Sequence, residues 1–388
     1  MKKVYIILGI IAALLLAGYF IKQKYSINPP LKFKDIPRDS LSVKAAALKV
    51  PDGFKVEIFA RDVKDARSMC LSPNNTLFVG NRDGDKVYAL RDEDNDNVAD
   101  KKYIIYEGGN MPNGVAFKNG SLYVAEVNRI LKFENIEDSL ELKPKPKVIF
   151  DKYPTDKWHG WKYISFGPDG KLYVPVGVPC NICEDKNKIF GTMTRMNDDG
   201  SGMEIVHNGI RNSVGFTWHP DTKNLWFTDN GRDDFGDDRP NCELNHATKD
   251  QQHFGFPYCH EGDIPDPEFG KGKNCDAYIK PVAKMGPHVA PLGIEYVRNS
   301  YFPSLYNDQF FIAKHGSWNR KEKTGYDIDM VKVDSSGNLI EKKTFISGWL
   351  SDDKKDVWGR PVDIEIWKDG SMLISDDYAN CIYRVVKK

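Results

Sequence analysis

Val214-Gly-Phe-Thr-Trp-His-Pro-Asp-Thr-Lys-Asn-Leu-Trp-Phe-Thr-Asp229 decides how the chain is read. Its apolar runs, 214–218 and 225–228, flank a six-residue connection whose Pro220 and Asn224 are turn formers, which predicts two paired antiparallel strands. The same unit recurs around Met69-Cys-Leu-Ser-Pro-Asn-Asn-Thr-Leu-Phe-Val79, in 114–126, and in Ile164-Ser-Phe-Gly-Pro-Asp-Gly-Lys-Leu-Tyr-Val174. It returns in 292–296 with 309–313, and in 362–376. Each copy is an apolar strand, a turn of Pro, Asn, Asp or Gly, and a second strand running out into small or acidic residues. A lone hairpin cannot bury its faces and must stack on neighbours, so six copies predict an all-β, six-bladed β-propeller. An immunoglobulin-like sandwich would not account for six copies of one hairpin. Third strands follow the first and last copies, at 86–90 and 381–385, while residues 232–290 exceed a simple turn. Long insertions of that kind carry function, so this one is expected to cover part of a functional face.

The composition agrees with many short strands. Gly (32) and Pro (22) punctuate them, and 12% aromatic residues fill half-buried pleats. Fifty-five basic residues balance 55 acidic ones, so no global field favours nucleic acid, and no nucleic-acid role is expected. Met1-Lys-Lys, an apolar run at 4–21 and Lys22-Gln-Lys24 read as a hydrophobic helix with basic flanks, a signal-anchor or signal peptide over 1–24. No Ala-x-Ala site follows, and Tyr19 stands where a lipoprotein needs Cys, which favours an uncleaved transmembrane anchor. A linker at 25–45 then leads to the propeller at 46–388, exported to the periplasm or cell surface. Export makes the seven cysteines disulfide candidates, and the loop positions pair Cys180 with Cys183 and Cys259 with Cys275. Cys70, Cys242 and Cys381 remain, and an odd count leaves at least one thiol free unless it pairs between chains.

Polar residues collect at the strand ends: Arg211 and Asn212 enter the fourth copy, while Asp229, Asn230 and Gly231 leave it. With Glu243-Leu-Asn245 and Phe254-Gly-Phe-Pro257, these motifs resemble the soluble pyrroloquinoline quinone (PQQ) dependent aldose dehydrogenases, in particular their sorbosone dehydrogenase-like branch. The resemblance covers nearly the whole chain after the N-terminal segment. It implies a six-bladed propeller that oxidises an aldose or sorbosone-like sugar with PQQ and Ca²⁺ and passes the electrons to an external acceptor. On the same resemblance His159 is the general base, and Arg211, Asn212, Asn230 and Arg360 contact the cofactor. Lys314 or His315 is expected at a cofactor carboxylate, and the carbonyls of Gly231 and Arg232 at Ca²⁺. Three positions depart from the family pattern: Trp158 where an Asp often precedes the His, Arg232 where a Pro is common, and Cys242 where an Asp is frequent.

A separate signal is Asp92-Glu-Asp-Asn-Asp-Asn-Val-Ala-Asp100, in which Asp92, Asp94, Asp96 and Asp100 resemble the start of a Ca²⁺-binding loop. Asn97 stands in place of the turn Gly, and Tyr103 in place of the twelfth-position Glu. Two other classes stay open because fold does not fix function: a propeller that only binds, and a lactonase-like hydrolase built on an axial Ca²⁺.

Overall fold

The computed structural model describes residues 2–25, 37, 40–298 and 301–388, and it is a six-bladed propeller. Blade one comprises Ala66–Leu71, Leu77–Asn81, Val87–Arg91 and Lys101–Tyr106; blade two, Gly114–Lys118, Ser121–Ala125, Ile130–Phe133 and Lys147–Phe150. Blade three comprises Ser165–Phe166, Leu172–Val176, Thr192–Met196 and Glu204–Asn208; blade four, Phe216–Trp218, Leu225–Asp229, Asn241–Ala247 and Ala283–Pro287. Blade five comprises Pro291–Val297, Gln309–Lys314, Asp327–Val333 and Leu339–Ile346. Blade six takes three strands from the C-terminus, Pro361–Ile366, Met372–Asp376 and Cys381–Lys387, and its outer strand, Phe54–Arg61, from the N-terminus. Every predicted hairpin is the inner pair of one blade, and the ring closes where Phe54 lies opposite Lys387.

Burial follows the repeat. The second strands Leu77–Asn81, Ser121–Ala125, Leu172–Val176, Leu225–Asp229, Gln309–Lys314 and Met372–Asp376 are buried at every position, because blades cover both of their faces. The core is accordingly divided into clusters between neighbouring blades, for example Phe78, Val115 and Leu122 between blades one and two. A small group, Val214, Leu292 and Val362, joins the approaches and inner strands of blades four, five and six near the axis. Crowding there requires Gly215, since a Cβ at that position would lie 2.0 Å from the carbonyl oxygen of Leu292.

The N-terminal helix spans Lys2–Tyr25, and its described side chains are exposed. Among the described residues no helix is long and apolar enough to cross a membrane. The span read as a linker lies partly outside the described residues, at 26–36, 38 and 39. At its end Leu41–Ala46 is a short helix that buries Leu41 and Ala45 against the core of blades five and six. Within blade four's insertion, Cys259–His260 and Ile264–Pro265 form a small extra hairpin. The bridges Cys180–Cys183 and Cys259–Cys275 are both formed, with Cys70, Cys242 and Cys381 as free thiols.

Candidate active site

An acidic residue at the end of a second strand turns back to hold the backbone that enters the inner strand, and this builds the rim. Asp229 accepts the N–H groups of Arg211 and Asn212 at 2.8 and 2.6 Å, and in blade six Asp376 accepts the N–H of Arg360 at 2.9 Å. Repetition of the hairpin thus places equivalent arginines on one face. There they border a cavity of about 580 Å³, together with Arg67, Arg82, His159, Asn212, Asn230, Gly231 and His315.

Each guanidinium is held differently. Arg211 Nε and Nη2 donate to Asn181 O and Oδ1 at 2.8 and 3.0 Å, and Nη2 lies 3.3 Å from Asp233. Asn181 lies inside the Cys180–Cys183 ring, so the disulfide loop acts as a bracket for this arginine. Arg360 donates to the carbonyls of His315 and Gly316 at 3.1 and 3.2 Å. Arg67 pairs with Asp377 at 2.9 Å. Arg82 stacks over Trp161 at 4.2 Å, and its buried Nε, 3.6 Å from Asp83, has no hydrogen-bond partner among the described residues. Four guanidiniums and the Lys157 ammonium, against Asp233 as the acid of the lining, make a cavity suited to an anion with several carboxylates.

His159 precedes blade three and is buried, with φ at +53°. Gly177 lets it approach: a Cβ there would lie 2.7 Å from that of His159. Nδ1 is 2.8 Å from the carbonyl of Val178, which fixes the Nδ1–H tautomer and leaves the lone pair on Nε2. That lone pair accepts the indole N–H of Trp158 at 3.0 Å. Burial, and next the Arg211 charge, push the imidazole down to about 3, so it is neutral near pH 7. His315 is likewise lowered to about 3 by burial and by Arg360, although its Nε2 is 2.8 Å from Asp377. Cys242 lines the cavity as a neutral thiol, its pKa raised to about 11 by burial.

Other expected residues lie elsewhere. Lys314 turns from the cavity to a buried pair with Asp327 and Asp329, at 3.0 and 2.8 Å. The Arg232 side chain pairs with Asp266 at 2.6 Å and lines a small recess behind the cavity with Asp229, Gly231, Asn241 and Glu243. Asp92, Asp94 and Asp100 come together in blade one's outer loop, outside the cavity. Asp96 instead accepts the N–H of Val98. Sequence reading missed Arg67 and Arg82. Arg67 was within reach, since it enters the first repeat much as Arg211 and Arg360 enter theirs. Asp233 and His288, 3.9 Å apart, belong to the insertion, where the repeat supplies no register.

Residues 48–388 match the family model described as TrAA12-like, and the chain belongs to that family. This bears out the resemblance to the PQQ-dependent sugar oxidoreductases read from the motifs, although none of these relatives singles out the sorbosone-type branch. An uncharacterised protein of Borreliella burgdorferi is 34% identical over 353 residues, covering 88% of this chain and 91% of its own. The calcium structure of the Trichoderma reesei carbohydrate-active enzyme of family AA12 is similar with a TM-score of 0.77 and 18% identity, over 89% of this chain and 98% of that one. The holo form of the pyranose dehydrogenase PQQ domain from Coprinopsis cinerea has a TM-score of 0.72 and 16% identity, over 91% and 98%. The PQQ-bound aldose sugar dehydrogenase from Streptomyces coelicolor has a TM-score of 0.63 and 17% identity, over 88% and 100%.

Proposed function

We propose that the chain is a quinoprotein sugar dehydrogenase that oxidises an aldose or related sugar at C1 with PQQ and Ca²⁺. The observation that carries this reading is the cavity itself, in which four arginines converge beside a neutral histidine and the buried Nε of Arg82 has no hydrogen-bond partner among the described residues. Those donors fit a tricarboxylate. Arg67, Arg82, Arg211 and Arg360 would bind the carboxylates, with Asn212 and Asn230 as polar contacts. The recess lined by Asp229, Gly231, Arg232 and Glu243 is rich in the hard oxygen donors that Ca²⁺ takes. PQQ, when bound, supplies the acceptor for the hydride leaving the sugar.

His159 then has one task, to take the hydroxyl proton at Nε2. Its depressed pKa suits a group kept neutral, and anionic carboxylates entering the cavity raise it toward a useful base strength by favouring the protonated form. Before that, the sugar hydroxyl must displace the Trp158 indole from Nε2. Trp158 and Trp318 line the cavity while about half exposed, apolar surfaces of the kind on which a sugar ring stacks. Electrons leave to an external acceptor. Export, with tethering by the N-terminal segment, belongs to the same reading and is supported by the basic-flanked apolar run at 4–21. Protease added to intact cells should cleave the propeller, and complete protection would sink the exported location.

Reconstitution of the purified chain with PQQ and Ca²⁺ tests the activity. The expected results are a bound-quinone spectrum and reduction of an artificial dye driven by sugar. A chain that binds no PQQ under these conditions would instead be a binding module.

A further inference from the structure

We infer that residues 92–100 form a second, structural calcium site on the outer edge of blade one, which clamps the seam where the ring closes. The turn between the third and fourth strands folds alternate carboxylates onto one another, and Asp92, Asp94 and Asp100 each bring an oxygen within 4.8 Å of the others. Two oxygens on opposite sides of a Ca²⁺ ion, each about 2.4 Å from it, are about that far apart. Asp92 gives the independent observation. Its side chain is fully buried, Oδ2 takes Lys368 Nζ at 2.8 Å and the Asn97 N–H at 3.2 Å, and Oδ1 has no hydrogen-bond partner among the described residues. A buried carboxylate oxygen without a donor is costly, and a hard dication beside two further carboxylates satisfies it.

The rest of the loop already holds the shape of a site. Asp100 Oδ2 accepts the N–H groups of Glu93 and Asp94 at 2.7 and 3.3 Å, and Asp94 Oδ1 accepts that of Asp96 at 3.1 Å. Asp94 and Asp100 are exposed, which leaves the ion a path from solvent and room for water ligands. Lys368 is the ammonium group bonded to Asp92, and one such charge does not balance three carboxylates. The irregular loop suits Ca²⁺, whereas Mg²⁺ demands near-ideal octahedral geometry.

Its placement gives the site a role. Ala99 N–H donates to Phe59 O at 2.9 Å, Trp367 Nε1 to Asn97 Oδ1 at 3.0 Å, and Lys368 Nζ to Asn95 Oδ1 at 2.8 Å. All three partners belong to blade six or the segment between its strands, so the loop spans the junction of the first and last blades.

Ca²⁺ alone is the probe, with the full chain free of quinone. In equilibrium dialysis wild type should bind one more Ca²⁺ per chain than Asp94→Asn/Asp100→Asn. Millimolar Ca²⁺ should raise the wild-type Tm by roughly 3–6 °C more than that of the double variant, and the two proteins should melt alike in chelator. Equal stoichiometry and equal shifts in the two proteins would overturn the site. Should the double variant misfold, Tb³⁺ luminescence decides: Trp367 sensitises emission from an ion held here, and Trp367→Phe should abolish most of it. Emission that is absent in wild type, or unchanged in Trp367→Phe, overturns the proposal. Neither experiment involves PQQ or sugar, so failure here leaves the proposed redox function untouched.

Discussion

At His159 one hydrogen bond fixes the tautomer and another occupies the remaining nitrogen. The bond to Val178 O fixes which nitrogen keeps its lone pair, while the Trp158 indole covers that nitrogen. His159→Ala should leave PQQ bound and lower turnover by roughly 10²- to 10⁴-fold, the usual worth of a positioned general base. Arg360→Ala should behave differently, weakening cofactor uptake first because the partly buried cation proposed to bind a cofactor carboxylate is lost. Titration of PQQ into each variant, followed by turnover at saturation, separates them. Full sugar oxidation by His159→Ala would remove the histidine from the mechanism. The sequence showed His159 between two tryptophans, but not that one of them donates to it, because adjacent residues on a turn point in directions that only the folded backbone determines.

At the scale of elements, the Cys180–Cys183 loop carries more than its size suggests. Asn181, inside the ring, receives two guanidinium bonds from Arg211, and its Oδ1 also accepts the N–H of Asp233 at 2.8 Å. Loop and insertion therefore grip the same arginine from two sides. Cys180→Ser/Cys183→Ser should fold, since the bridge closes only a short loop, yet it should bind PQQ more weakly by about tenfold or more as Arg211 loses its bracket. Fluorescence titration of the cofactor measures this, and unchanged affinity would show that Asn181 holds its place without the bridge. The cysteine pairing was legible from loop placement. Its connection to Arg211 was not, because Asn181 and Arg211 are 30 residues apart and meet only through the blade's curvature.

For the whole molecule, the buried acids near the axis couple stability to pH. Burial raises Asp363 to about 7, and burial followed by the charge of Asp363 also raises Glu365. A carboxyl held up in this way contributes stability that is full below its unfolded value of about 3.9 and is lost as the pH rises through about 7. Burial lowers His159 and His315, so their contribution runs the other way, complete above about 6.5 and lost on acidification. Comparison with Asp363→Asn isolates the acid. Between about pH 5 and about pH 8 the Tm of the variant should gain several degrees relative to wild type. A constant gap across that range would mean that Asp363 is already ionised in the folded protein.

The sequence by itself determined the propeller. Six hairpins with one pattern of apolar residues and turn formers have no other way to bury both faces, and the strands fall where that pattern put them. It also pointed to the rim that borders the cavity, because the acidic residues that end second strands and the arginines that enter inner strands are tied to the repeat. Only the tertiary structure decided which of those residues share a cavity. Lys314 and His315 are neighbours in sequence, yet strand alternation sends Lys314 to Asp327 and Asp329 while His315 lines the cavity with Arg360. Asp233 and His288 entered the site from an insertion without a repeat. Their positions depend on how the blades' curvature folds that insertion back over the axis, which local sequence does not encode.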